Sequence, residues 1–169
     1  GILDINGDNS ALMATTHIQN GATVNLDNAA GLGRGDIDNA GRLAFNGARG
    51  QLINRLGNNG DVAINDSQMV LAADNRAFGG SFSIDETSLL TAAEAGQLGS
   101  ATVYDKGSLN LATDTDWTLN NTVTGSGNLA KQGIGVVTLT AASAAYTGKT
   151  QINQGGLVLG NRRQPLTLA

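Results

Sequence analysis

Apolar residues recur along this chain in pairs two positions apart, and each pair follows a turn signal at a fixed distance. Three stretches show the frame: Ile37-Asp38-Asn39-Ala40-Gly41-Arg42-Leu43-Ala44-Phe45, Leu56-Gly57-Asn58-Asn59-Gly60-Asp61-Val62-Ala63-Ile64 and Val103-Tyr104-Asp105-Lys106-Gly107-Ser108-Leu109-Asn110-Leu111. Each opens on an apolar residue. Asn or Asp stands two positions on, Gly four on, and apolar residues six and eight on. Residues two apart lie on one face of a strand, so the last two slots read as the buried side of a half-buried strand. Asn or Asp two residues before Gly is turn chemistry, and the Gly41, Gly60 and Gly107 slot predicts positive φ.

The frame fits more loosely from Ile18, Arg76, Val123 and Ile152, and its last slots fit Gly1, Leu3 and Ile5. Ordered along the chain, the starts are Ile18, Ile37, Leu56, Arg76, Val103, Val123 and Ile152. Their spacing is nearly constant except in two longer intervals, after Arg76 and after Val123. A turn–strand unit of about 20 residues is too short to fold alone, and stacking on its neighbours buries a continuous core. The fold expected is all-β: a right-handed parallel β-helix of about eight rungs, roughly 40 Å long at ~4.8 Å per rung. In the long interval after Arg76, Ser88 to Leu98 (SLLTAAEAGQL) predicts a short helix in a loop leaving the coil. The rungs are assigned to 1–114, a distinct C-terminal segment to 115–160, and a tail or linker start to 161–169.

That C-terminal segment carries its own motif. Gly127, Leu129 and Lys131 precede Gly133 and Gly135, then Val137-Thr138-Leu139, Tyr146-Thr147-Gly148, Thr150, Gly155-Gly156 and Leu157. The order resembles the autotransporter-associated β-strand repeat of bacterial outer-membrane autotransporters. Asp116-Trp117-Thr118-Leu119 looks like the strand that begins the last part of such passengers. The resemblance implies the C-terminal, autochaperone region of a type V secreted passenger. It implies a hairpin-rich cap, passage through the outer membrane, and promotion of passenger folding at the cell surface. The implied partners are the chain's own upstream passenger and a downstream translocator barrel, with a host surface or cytoskeletal protein reached through the full passenger. Trp117, Gly127, Leu129, Tyr146 and Gly156 are the candidate folding and cap residues.

Composition narrows the chemistry. The 169 residues are 40% hydrophobic but only 4% aromatic, which suits a narrow core of layered aliphatic side chains. A formal charge of −4 offers no basic surface to nucleic acid. With no cysteine there is neither disulfide framework nor thiolate metal site. No signal peptide or membrane-length apolar run is seen. No enzyme activity, catalytic residue, cofactor or metal site is assigned.

Several residues still invite chemistry. Arg34-Gly35-Asp36 is an integrin-type tripeptide, and its adhesive reading competes with a plain turn before Ile37. Gly31 to Asp36 also approaches the calcium-binding glycine–aspartate repeat, but once only and one residue short. Asp36/Asp38 and Asp114/Asp116 are carboxylate pairs of the spacing used on polysaccharide-cleaving β-helices. Neither pair has a nearby His, Arg and Lys are sparse, and solvated turn residues are expected. His17, the single imidazole, is expected at the surface. Trp117 is expected to anchor the core rather than stack on a sugar. Arg162-Arg163 reads as either a processing site or a plain tail. Three functions are carried forward: a folding module of a passenger, a host-binding adhesin module, and a polysaccharide-active β-helix enzyme.

Overall fold

A computed structural model describes residues 1–160; the expected tail with Arg162-Arg163 lies outside them. The described residues wind into eight stacked coils with three faces, and every strand pairing among them is parallel. The parallel β-helix expected from the repeat is therefore the fold.

In chain order the strands are β1 (Ile2–Ile5), β2 (Thr16–Ile18), β3 (Thr23–Leu26), β4 (Ile37–Asn39), β5 (Arg42–Asn46), β6 (Arg49–Leu52), β7 (Leu56–Gly57), β8 (Asp61–Asn65), β9 (Gln68–Leu71), β10 (Ser81–Ile84) and β11 (Leu89–Ala92). A one-turn helix, α1 (Ala95–Leu98), follows. The rest are β12 (Thr102–Asp105), β13 (Ser108–Ala112), β14 (Trp117–Leu119), β15 (Val123–Gly125), β16 (Asn128–Gln132), β17 (Val136–Leu139), β18 (Ala145–Tyr146), β19 (Thr150–Ile152) and β20 (Gly156–Leu159). The first face stacks β1, β3, β5, β8, β10, β12, β15 and β18. The second stacks β6, β9, β11, β13, β16 and β19. The third stacks β2, β4 and β7 in one sheet and β14, β17 and β20 in another, with α1 between them along the chain.

Register shows why the repeat folds this way. Val24, Leu43, Val62, Phe82 and Val103 stand in one column of the first face, and Leu26, Phe45, Ile64 and Ile84 in the next. All nine are buried. Each column places like on like one coil apart, so every side chain is covered by its counterpart above and below. Phe78 and Phe82 close the middle of the core, their rings edge-to-face at 5.3 Å and 70°.

The same register corrects the coil boundaries. Ser81 faces Thr102 and Thr124 faces Ala145, each pair a single ordinary coil apart, so the two long intervals are not insertions. Val103 belongs to the buried pair of slots on the first face. Leu109 and Leu111, aligned with Leu43 and Phe45 in the sequence frame, lie instead on the second face. Ser88 to Leu98 does not leave the coil either. Leu89–Ala92 is strand β11, paired on both sides, and only Ala95–Leu98 is helical. The hairpins expected in the C-terminal segment are likewise replaced: β14 to β20 continue the parallel ladder.

Glycine serves a different purpose from the one expected. Gly41, Gly60 and Gly107 are not among the residues with positive φ. They lie against the backbone of the coil below, where a Cβ on Gly60 would stand 2.4 Å from the Gly41 carbonyl oxygen and 2.7 Å from that of Asn39. Gly60→Val is expected to destabilise by about 1–3 kcal/mol through overpacking, measured as a lower urea midpoint with an unchanged slope.

Candidate functional site

Polar side chains gather in two kinds of place: the buried corners of the coils and a groove on the third face. The corners arise because each turn leaves backbone carbonyls facing inward, where water does not reach them. Asn side chains answer several of these. The buried Asn54 amide donates to the Gly33 and Gly35 carbonyls at 3.2 and 2.7 Å. Asn121 does the same for Gly99 and Ala101 at 3.0 and 2.8 Å. Asn75 donates to Gln97 O and accepts from the Leu56 amide, both at 2.8 Å.

In the seventh coil a lysine reaches corner carbonyls from a strand position. Lys131 stands in an inward column of the second face, between Leu111 below and Ile152 above. It is 0% exposed. Its ammonium donates to Gln132 O at 2.6 Å and Gly133 O at 2.8 Å, with Thr113 O and Gln154 O at 3.5 Å. Burial lowers its pKa, while the Asp114 and Asp116 carboxylates pull it back up. Those two carboxylates also accept the Ile134 and Val136 amides of the coil above, at 3.1 and 2.8 Å. The Asp114/Asp116 pair is thus a corner clamp joining the sixth and seventh coils.

Four of the other cap candidates are spread over the seventh and eighth coils. Leu129 and Tyr146 are buried, and the Tyr146 hydroxyl is hydrogen-bonded to Thr150 Oγ1. Gly127 lies against Asp105 of the coil below. Gly156 opens β20 opposite Val136. Trp117 is the exception. It occupies an inward position of β14, beside Val137, but is only half-buried. Its indole N–H donates to Thr113 Oγ1 at 3.1 Å. Trp117→Ala is therefore expected to cost about 1–3 kcal/mol rather than the 3–5 of a fully buried tryptophan, read from equilibrium denaturation followed by circular dichroism.

The third-face groove has a volume of about 470 Å³ and runs across the first to fourth coils. Gly57 and Ala77 leave it shallow-floored, and Asp36, Asp38, Arg55, Asp74 and Arg76 line it. Arg55 grips Asp36 through two hydrogen bonds, Nε–Oδ1 at 3.0 Å and Nη2–Oδ2 at 3.1 Å. His17 Nδ1 lies 3.0 Å from Asp38 Oδ2, and Asn58 donates to Asp38 Oδ1 at 2.9 Å. These two bonds hold the Asp38 carboxyl below its usual range, Asn58 contributing most. The expectation that Asp36 and Asp38 lack a His or basic partner is overturned: the partners lie one coil away. His17 is exposed, as expected.

Within Arg34-Gly35-Asp36, Arg34 and Asp36 are exposed, but the Asp36 carboxylate is taken by Arg55. Gly35 is pressed against the Ala14 carbonyl oxygen, to which an added Cβ would come within 2.0 Å. The tripeptide is a packed corner rather than a projecting loop. Among the described residues no group of three or more His, Cys, Asp or Glu side chains is placed to hold a metal ion.

Comparison with known proteins gives two relatives from Escherichia coli K12. The chain is 40% identical over 162 residues to an uncharacterized lipoprotein, YdeK, covering 95% of this chain and 12% of that protein. It is 46% identical over 59 residues to an uncharacterized protein, YuaQ, covering 35% of this chain and 4% of that one. The chain thus spans a small part of either relative. No family model matches, and no solved structure matches significantly.

Proposed function

We propose that this chain is the C-terminal stretch of a cell-envelope passenger solenoid of the autotransporter type, and that coils six to eight promote folding of the coils before them. The carrying observation is the Lys131 corner. The motif that resembles the autotransporter repeat falls on coils seven and eight, and its lysine gathers carbonyls from three successive coils. A charged side chain that stitches three coils stabilises their mutual stacking more than any one coil. In a one-dimensional array, such an end resists fraying and offers a formed ladder on which the next coil can pair. The lipoprotein description of one relative supports an envelope or surface location.

The test is an export experiment. The chain is placed ahead of an outer-membrane translocator barrel, and surface protease resistance is measured with and without coils six to eight. Export of a protease-sensitive passenger when these coils are removed supports the proposal. Equal resistance of both forms contradicts it.

The third-face groove favours a second reading, a surface that contacts polysaccharide. Paired carboxylates with guanidinium and imidazole partners present donors and acceptors suited to vicinal hydroxyls. With its carboxyl held low, Asp38 has no proton to give near neutral pH, so the groove fits binding better than glycosidic cleavage. Asp38→Asn together with Arg55→Ala should abolish retention on immobilised polysaccharide. Unchanged retention removes this reading.

A further inference from the structure

The first-face column that runs Leu26, Phe45, Ile64 and Ile84 continues with Asp105, then Gly125, above which Tyr146 is paired. Asp105 is 0% exposed, and neither carboxyl oxygen has a hydrogen-bond partner. The Gly107 and Leu109 amides face it without forming bonds of good geometry. The coil above is shaped around it. A Cβ on Gly127 would lie 2.3 Å from Asp105 Oδ1, and one on Gly125 would lie 2.3 Å from the Asp105 carbonyl oxygen. A carboxyl thus occupies an apolar slot under a roof of two glycines, where a Leu or Ile would continue the column.

We propose that Asp105 is a proton-controlled latch between the sixth coil and the two above it: the coils stack fully when its carboxyl is protonated, and its ionisation loosens them. The chemistry follows from burial. An ionised carboxylate here is shut off from bulk solvent and has no cationic side chain against it, so the neutral acid is the form the packed coils accept. The groups around it supply no counter-charge. From above comes Tyr146, whose hydroxyl is engaged with Thr150 and whose own ionisation Asp105 opposes. Below it stands the apolar Ile84, and Asp85, the next residue along that coil, is held by Ser88, Thr87 and the Asp66 amide. On its own strand Tyr104 is exposed, as is the following Lys106.

Burial, partly offset by the Gly107 and Leu109 amides, carries the Asp105 carboxyl up to about 7 from 3.8. The sign is set by proton uptake. Between these values the folded state keeps a proton that the unfolded state has lost, so stability falls as pH rises and levels off above about 7. Three pH units correspond to roughly a thousand-fold change in the opening equilibrium.

The experiment compares the unmodified chain with Asp105→Asn between about pH 4 and pH 8. Urea unfolding is followed by Trp117 fluorescence, and amide exchange is resolved for β16 and β19 against β5 and β8. The unmodified chain should lose stability with rising pH relative to Asp105→Asn, which should be the more stable form at pH 8. The excess exchange should be confined to the upper coils. Parallel pH profiles for the two proteins would overturn the proposal, and so would a loss spread evenly along the stack. Infrared titration of the unmodified folded chain gives an answer even if Asp105→Asn fails to fold. An unionised carboxylic acid should persist at about pH 6, where ordinary aspartates are ionised, and its absence would overturn the latch.

Discussion

Lys131→Met is expected to destabilise the chain by about 3–5 kcal/mol, through the loss of two short charge-assisted hydrogen bonds and the stranding of one part-buried acceptor. Methionine keeps the aliphatic stem, so packing against Leu111 and Ile152 is largely preserved and the change isolates the ammonium. Gly133 O loses its donor, whereas Gln132 O and Thr113 O keep the Thr113 and Gly135 amides. The matched control is Leu111→Met one coil below, a volume-conserving exchange expected to cost less than about 1.5 kcal/mol. Urea midpoints of the two variants check the difference. Equal midpoints would mean that the lysine merely fills space.

Phe82→Ala is expected to cost about 3–5 kcal/mol and to split the unfolding of the stack. Phe82 is fully buried in the fifth coil, paired in register with Val62 below and Val103 above, and its ring meets Phe78 edge-to-face. A cavity there weakens two neighbouring interfaces at once. Because each coil touches only its neighbours, weakening the middle lets the two halves melt separately. Two transitions in a denaturant titration, where the unmodified chain shows one, is the expected result. A single transition with a shifted midpoint would show that coupling along the stack survives the cavity.

How these sites relate to the sequence follows from the geometry of corners. The second to fifth coils were legible because Val24, Leu43, Val62 and Phe82 recur at a nearly constant spacing with a turn signal before each. The frame slipped at Val103 because Asp105-Lys106-Gly107 repeats the signature of Asn39-Ala40-Gly41 at a different corner. Every corner lies under the backbone of the next coil, so every corner favours a short polar residue and a small one. That signature marks a corner without saying which. The third-face cluster was hidden for a related reason. Asp36 bonds Arg55, and His17 bonds Asp38, each across one full coil. They are neighbours only once the coil period is applied to outward-facing positions. Asp105 and Lys131 were illegible as buried groups because a charge reads as solvated. Each occupies an inward slot that Ile84 or Leu111 fills one coil below.

If the C-terminal coils form first and template the others, the order of protection during refolding must show it. Pulse-labelling hydrogen exchange tests this most directly, comparing amides of β16, β17 and β19 with those of β3, β5 and β8. The expected result is protection of the C-terminal set before the N-terminal set, with the lead abolished in Lys131→Met. Protection that arises first in β3 and β5, or simultaneously in all six strands, would contradict it.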